Sequence, residues 1–181
     1  MKVEYESAFT QTRVNTAMKL DLQVSSNIPG GFMDFRDLLQ PEHVILVPRA
    51  QDKEKLLGDL AQRAAAALKR DVESILNPLL ARENLGSTGL GAGFALPHAR
   101  IPDMEQFFCL FAKLAKPVPF AAIDDHPVDL IFLLLMPLNC GSDHLKALAA
   151  ISRHLRDKTL MARLRKAKAP DALYGILKEQ S

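Results

Sequence analysis

His98 is the residue best placed in this chain to do chemistry. It ends the approach Gly86 to His98, GSTGLGAGFALPH, which holds Gly86, Gly89, Gly91 and Gly93. Glycine permits backbone conformations that a side chain forbids and lets other groups come close. Phe94-Ala95-Leu96 is a short apolar run, and Pro97 after it has no N–H to continue pairing. The stretch reads as a loop, a short strand and a sharp stop that presents His98 at a strand end beside a backbone-rich concavity. A neutral imidazole there has a free lone pair and could act as a nucleophile. The plainer alternative is a turn histidine whose ring is satisfied locally.

Two other residues could join it. Arg82 falls on the inward face at the end of an amphipathic helix, just before the glycine loop. Its plain reading is a cation at a helix C-terminus, where the helix dipole favours it. His144 opens a later helix and lines up with Leu148, Ile151 and Leu155, so it borders buried surface. Other chemistries lack their signatures. Gly89-x-Gly91-x-Gly93 is not a dinucleotide fingerprint, no Gly-Lys-Ser/Thr follows it, and no serine sits in a nucleophile elbow. His98 and His144 with Cys140 or Asp143 lack a compact ligand spacing, so no metal is expected. Cys140 has only its loop position to suggest a nucleophile. His43, His126 and His154 read as structural or solvated.

The elements that must position these residues follow from periodicity. A helical turn is expected over Asp34–Leu39 and a strand over His43–Val47. Leu56, Leu57, Leu60, Ala61, Ala64, Ala65 and Leu68 mark a helix over Gln51–Lys69. A second helix starts near Val72, with Ile75, Leu76, Leu79 and Leu80 apolar. Phe107–Lys113 and Val118–Phe120 read as two strands. Val128–Met136 has no alternation and suits a central strand buried on both faces. Ser142 or Asp143 is expected to cap a helix over about 144–156, with Leu145, Leu148, Ala149, Ser152 and Leu155 inward. Short amphipathic helices over about 158–167 and 170–178 close the chain. Together these predict one α/β domain with a mixed sheet flanked by helices. Residues 34–181 form that domain. Residues 1–33 are set outside it as an extension, with disorder and a docking role both open.

Composition bounds the function. The chain has 181 residues and is 48% apolar, enough for a core that needs neither disulfides nor metal. A net charge of +2 gives no reason to expect nucleic acid or an acidic membrane as partner. Cys109 and Cys140 lack a CxxC pattern and are expected to be reduced. With no apolar signal core at the start and no bilayer-length apolar run, a cytoplasmic protein is expected.

The residues from Arg82 to Gly89, Arg-Glu-Asn-Leu-Gly-Ser-Thr-Gly, together with Gly91-x-Gly93-x-Ala95-x-Pro97-His98, carry a family resemblance. They resemble the active-site segment of enzyme IIA proteins of the fructose/mannitol class, in the bacterial phosphoenolpyruvate-dependent phosphotransferase system. Within that class the chain is most similar to the nitrogen-regulatory enzyme IIA. Phe120-Ala-Ala-Ile-Asp124-x-x-Pro127-Val128-Asp129-Leu130, His144-Leu145 and Leu155-Arg156-Asp157-Lys158-Thr159 support it, and the similarity spans about Asp34 to Lys178. Ala99 and Arg100 depart from the Gly and Lys common in relatives.

The resemblance implies a mostly five-stranded mixed sheet and a phosphocarrier that takes a phosphoryl group from an HPr-type protein on His98 Nε2. Arg82 and His144 would line the site. Ser87, Thr88, Gly89, Gly91 and Gly93 would hold phosphoryl oxygens, and Leu90, Phe94 and Leu96 would dock the partner. No cofactor and no metal is implied. Its further partners would be regulatory target proteins controlled by its phosphorylation state, in a nitrogen-regulatory role. The alternatives are a sugar-specific enzyme IIA that passes phosphate to a IIB component and a non-catalytic binding module.

Overall fold

A computed structural model describes residues 35–49 and 52–179. The extension expected over residues 1–33 lies outside the described residues. The elements run α1 (Phe35–Leu38), a 3-10 turn (Pro41–His43), β1 (Val44–Val47), α2 (Lys53–Leu68) and α3 (Glu73–Asn84). Then come β2 (Gly89–Gly91), β3 (Phe94–Ala95), β4 (His98–Ile101), β5 (Phe108–Val118) and β6 (Val128–Pro137). The helices α4 (Asp143–His154), α5 (Lys158–Lys166) and α6 (Pro170–Lys178) follow.

The sheet has six strands in the order β1-β5-β6-β3-β2, with β4 also paired to β6. It is mixed: β5 runs antiparallel to β6, while β3 and β4 run parallel to it and β1 runs parallel to β5. The expectation of mostly five strands is one short, because the chain on either side of Pro97 forms two strands.

β6 explains its own unpatterned sequence. Ile131, Leu133 and Leu135 enter one core with Leu56, Leu57, Leu60, Ala61 and Ala64 of α2 and Ile75 and Leu79 of α3. Leu130, Phe132, Leu134 and Met136 enter a second core with Ala147 and Ile151 of α4, Leu160 and Leu164 of α5, and Leu173 and Leu177 of α6. Alternate side chains of a strand point to opposite faces, so a strand with helices on both faces must be apolar at every position.

Several local expectations are corrected. Phe107–Lys113 and Val118–Phe120 are not two strands: β5 runs unbroken beside β6, with a register irregularity between Lys113 and Val118. Pairing of Leu114 with Val47 of β1 and of Val118 with Val128 of β6 carries the strand across the weak local signal over 114–117. Ser142 is the residue before α4 but makes no side-chain cap bond. α4 buries Ala147, Ile151 and Leu155, whereas Leu145 is 61% exposed and Ala149 also faces solvent. Its inward stripe is therefore rotated from the expected one.

The glycine run also folds differently. β2 and β3 form a hairpin whose two turn residues, Ala92 and Gly93, have φ of 53° and 78°. Positive φ at both positions is the two-residue turn whose twist suits paired strands. Asp124 accepts the Ala92 N–H at 2.7 Å, and Arg165, in a bidentate pair with Asp129, donates to the Ala92 carbonyl at 2.6 Å. Gly89 is required by close approach rather than by backbone angle: a Cβ there would lie 2.8 Å from Ala122 Cα. Relief needs backbone movement, so Gly89→Ala is expected to destabilise the protein by roughly 1–3 kcal/mol, the usual cost of overpacking. Urea denaturation would measure this as a lower midpoint at an unchanged slope.

Candidate phosphoryl-transfer site

β3 and β4 lie on one line. Phe94 pairs with Leu130 and His98 with Leu134, so the register is unbroken across Leu96 and Pro97. Pro97 cannot donate to the ladder, but its carbonyl accepts the Leu134 N–H at 3.0 Å. His98 therefore does not follow a sharp stop; it opens the continuation of the strand beside β6.

The imidazole of His98 is half-buried and oriented at both nitrogens. Nδ1 lies 2.8 Å from the Leu96 carbonyl, which can only accept, so Nδ1 carries the proton. Nε2 lies 3.0 Å from Arg82 Nε, which can only donate, so Nε2 carries the lone pair. Burial is the main cause that lowers the ring's pKa below the ordinary histidine value. The bond to Leu96 opposes the fall, Arg82 adds to it, Glu83 opposes it and His144 adds to it. The result favours a neutral ring whose Nε2 lone pair accepts from Arg82.

Arg82 sits in the last turn of α3, on the layer opposite α4, and meets His98 at β4, which has a sheet partner on one side only. Its Nη1 also donates to the Gly86 carbonyl at 2.9 Å, which aims the guanidinium. His144 opens α4, and its Nδ1 donates to the Gly141 carbonyl at 2.7 Å. Arg100 Nη2 lies 2.9 Å from Nε2 and 3.3 Å from Nδ1 of His144, against the ring. The structure thus brings His98, Arg82 and His144 into one neighbourhood and adds Arg100, which the sequence marks only as a departure from relatives.

Beneath this group lies a buried ionic knot. Glu83 is 8% exposed, and its carboxylate accepts the Thr88 N–H at 2.9 Å, the Thr88 hydroxyl at 2.5 Å and Lys53 Nζ at 2.5 Å. Burial acts to raise this carboxyl's pKa, but Lys53 and both Thr88 bonds outweigh it and hold it below the ordinary value. Lys53 Nζ also donates to the Phe120 carbonyl at 3.0 Å and lies 4.5 Å from the centre of the Phe120 ring. The knot joins the start of α2, the end of α3 and the 87–88 loop, and so fixes the backbone beside Arg82. Sequence reasoning missed Glu83 and Lys53. The only signal was Glu83 next to Arg82 within the motif; Lys53 stands alone in a charged helix start.

The expected phosphate cradle is corrected in the same terms. Thr88 gives both its donors to Glu83, the Ser87 hydroxyl donates to the Phe120 carbonyl at 2.7 Å, and the Gly89 N–H donates to Ser87 Oγ at 3.1 Å. Gly91 and Gly93 belong to the hairpin, where a Gly93 Cβ would lie 2.5 Å from Arg165 Nη2. The Ser87 hydroxyl, both Thr88 donors and the Gly89 N–H are thus committed within the loop, while Gly91 and Gly93 serve the hairpin turn. Of the three expected docking residues, Phe94 and Leu96 are each 3% exposed and belong to the core under α4, while Leu90 is exposed. Large apolar side chains that face solvent include Leu85, three residues after Arg82, Leu145, next to His144, and Leu138, just past the end of β6.

The other candidates lie elsewhere. Burial pushes the Cys109 thiol up to about 12, which leaves it an inert core group. His43 stacks on Phe108 with ring centres 4.5 Å apart, and His126 binds Asp124 in an exposed loop. No helix among the described residues is long and apolar enough to cross a membrane.

Comparison with known proteins agrees with this geometry. A family model described as phosphoenolpyruvate-dependent sugar phosphotransferase system, EIIA 2, matches residues 37–180. A nitrogen regulatory protein of Bradyrhizobium diazoefficiens is 41% identical over 145 residues, covering 80% of this chain and 95% of the relative. A fructose-specific EIIA component of Haloferax volcanii is 35% identical over 125 residues, covering 69% and 80%. The crystal structure of the nitrogen regulatory protein IIA-Ntr from Neisseria meningitidis superposes with a TM-score of 0.74 at 31% identity, covering 79% of this chain and 98% of that one. With its α/β layers, its imidazole lone pair facing an arginine and a match over nearly all its described length, the chain belongs to the EIIA type-2 family of the phosphotransferase system.

Proposed function

We propose that this protein is a cytoplasmic phosphocarrier whose domain, residues 34–181, accepts a phosphoryl group from an HPr-type protein on His98 Nε2 and acts in nitrogen regulation. The observation that carries the reading is the orientation of His98, with Nδ1–H held by the Leu96 carbonyl and the Nε2 lone pair directed at Arg82. The nitrogen-regulatory assignment rests on the similarity to nitrogen regulatory proteins.

The transfer balances simply. Nε2 attacks phosphorus in line with the carrier's N–P bond; the new N–P bond forms as the old one breaks, and the carrier's ring leaves with its electron pair. The Nδ1 proton stays in place, so the phosphorylated ring gains positive charge that the Leu96 carbonyl stabilises. Such a loose transition state needs positioning and charge balance more than covalent help. Arg82 already points an N–H at the nucleophile and can follow the phosphorus with a charge-assisted bond. Leu85, Leu138 and Leu145 offer the carrier an apolar rim, in place of Phe94 and Leu96.

A second reading, a sugar-specific enzyme IIA, draws on the fructose-specific relative. It differs in the acceptor: a IIB component would then take the phosphoryl group from His98.

In the reconstituted chain of phosphoenolpyruvate, enzyme I and an HPr-type carrier, wild type is expected to gain one acid-labile phosphate by intact mass. His98→Ala is expected to gain none, and a mutant that still carries the phosphate would overturn the assignment. Adding candidate IIB proteins to the phosphorylated form separates the two readings. Leu145→Asp, a change at an exposed position, is expected to raise the KM for the carrier about tenfold, as loss of an interface anchor does, with kcat little changed. For pH, the sign follows from the lowered pKa of His98. The ring stays neutral below the ordinary midpoint of about 6.5, so transfer should hold steady as pH falls through that value and decline only at lower pH. The same group makes the fold lose stability as pH falls below the unfolded value, where the unfolded state binds the extra proton first. A ¹⁵N-detected titration of His98 with its midpoint at or above 6.5 would contradict this expectation.

A further inference from the structure

Side chains two apart on a strand share a face, so His98 and Arg100 project together from β4, while Ala99 and Ile101 are buried on the other face. Arg100 is exposed, and its guanidinium reaches across to His144 Nε2 at 2.9 Å. His144 Nδ1 is committed to the Gly141 carbonyl. Each histidine therefore has Nδ1 on a backbone carbonyl and a guanidinium against its ring, Arg82 at His98 Nε2 and Arg100 within 2.9 Å of Nε2 and 3.3 Å of Nδ1 of His144.

A phosphoryl group on His98 would change that balance. It consumes the lone pair that Arg82 caps and puts three charged oxygens in its place. Arg82 can redirect its Nε–H, but its Nη1 is held by Gly86. His144 Nδ1 is engaged by the Gly141 carbonyl. Arg100 has donors to give, and its present partner is the His144 ring. An anionic phosphoryl oxygen is a stronger acceptor for a guanidinium, because it adds opposite charge and suits the planar fork of N–H donors.

Building on the reading of His98 above, we propose that Arg100 is a ligand of the phosphorylated state, leaving His144 Nε2 for the phosphoryl oxygens when His98 is phosphorylated. No bond is made or broken at Arg100 beyond the exchange of one hydrogen-bond acceptor for another. The exchange also unties β4 from the start of α4, where Leu145 lies at the surface, so the phosphorylation state is written into a surface that partners can read.

The test uses full-length wild type, Arg100→Ala and Arg100→Lys, each checked for an unchanged Tm and phosphorylated through enzyme I and the HPr-type carrier. Two quantities are read: the equilibrium constant for phosphoryl exchange with the carrier, and the side-chain ¹⁵N signal of His144 Nε2. In wild type that signal is expected to move on phosphorylation toward the position it already holds in unphosphorylated Arg100→Ala. The exchange constant should fall about tenfold in Arg100→Ala, the scale of one hydrogen bond to a charged group, and recover in part in Arg100→Lys. An unchanged constant in folded Arg100→Ala, or an unmoved His144 signal in phosphorylated wild type, would overturn the role of Arg100 alone. A wild type that takes no phosphate would overturn the reading of His98 and this proposal with it.

Discussion

The hydrogen bond from His98 Nδ1 to the Leu96 carbonyl is the constraint on which the site depends. An imidazole offers two nitrogens, and only the one without a proton can attack phosphorus. By holding the proton on Nδ1, the Leu96 carbonyl assigns the lone pair to Nε2 and aims it at Arg82. That carbonyl lies on the side of the strand where the Leu96 N–H donates to the Thr88 carbonyl, and Thr88 gives its own N–H to Glu83 instead of returning it to Leu96. The buried carboxylate thus frees the acceptor that orients the nucleophile.

Placing Arg82 is a separate task, and the protein meets it with a buried carboxylate. Burying Glu83 would be costly without partners, and it has three. Breaking such a cluster by removing one member typically costs more than the intact cluster contributes, because the remaining charge stays buried. The arrangement therefore holds the end of α3, the loop after it and Lys53 of α2 in one geometry. The glycine run does analogous work by packing: its hairpin closes against Ala122, Asp124 and the Arg165–Asp129 pair. What reads in sequence as an open cradle is a compact brace behind the nucleophile.

Much of the fold was legible because its periodic signals were strong and agreed with one another. β6 announced itself as a strand covered on both faces, and α2 as a helix with one continuous apolar stripe. The errors arose where a neighbour decided. β5 is one strand because β1 holds it at Leu114 and β6 again at Val118, and the stripe of α4 is turned so that Ala147 is buried and Leu145 is not. Six strands stand in place of five because a proline divides a line that pairing keeps straight. In the site, Arg82, His98 and His144 were singled out by type and by resemblance, whereas Lys53, Glu83 and the contact of Arg100 needed three dimensions.

By itself the sequence determined which residues are apolar and at what period, hence the layers of the fold, and it placed one histidine after a glycine-rich approach within a recognisable motif. Only the tertiary structure decided which nitrogen of that histidine holds the lone pair, that the glycines brace the nucleophile, that Phe94 and Leu96 are core, and that Arg100 caps the second histidine. The physical reason is common to all four. Hydrogen-bond partnership and burial belong to pairs of groups far apart in the chain, and a linear pattern records the residue types but not which of them meet.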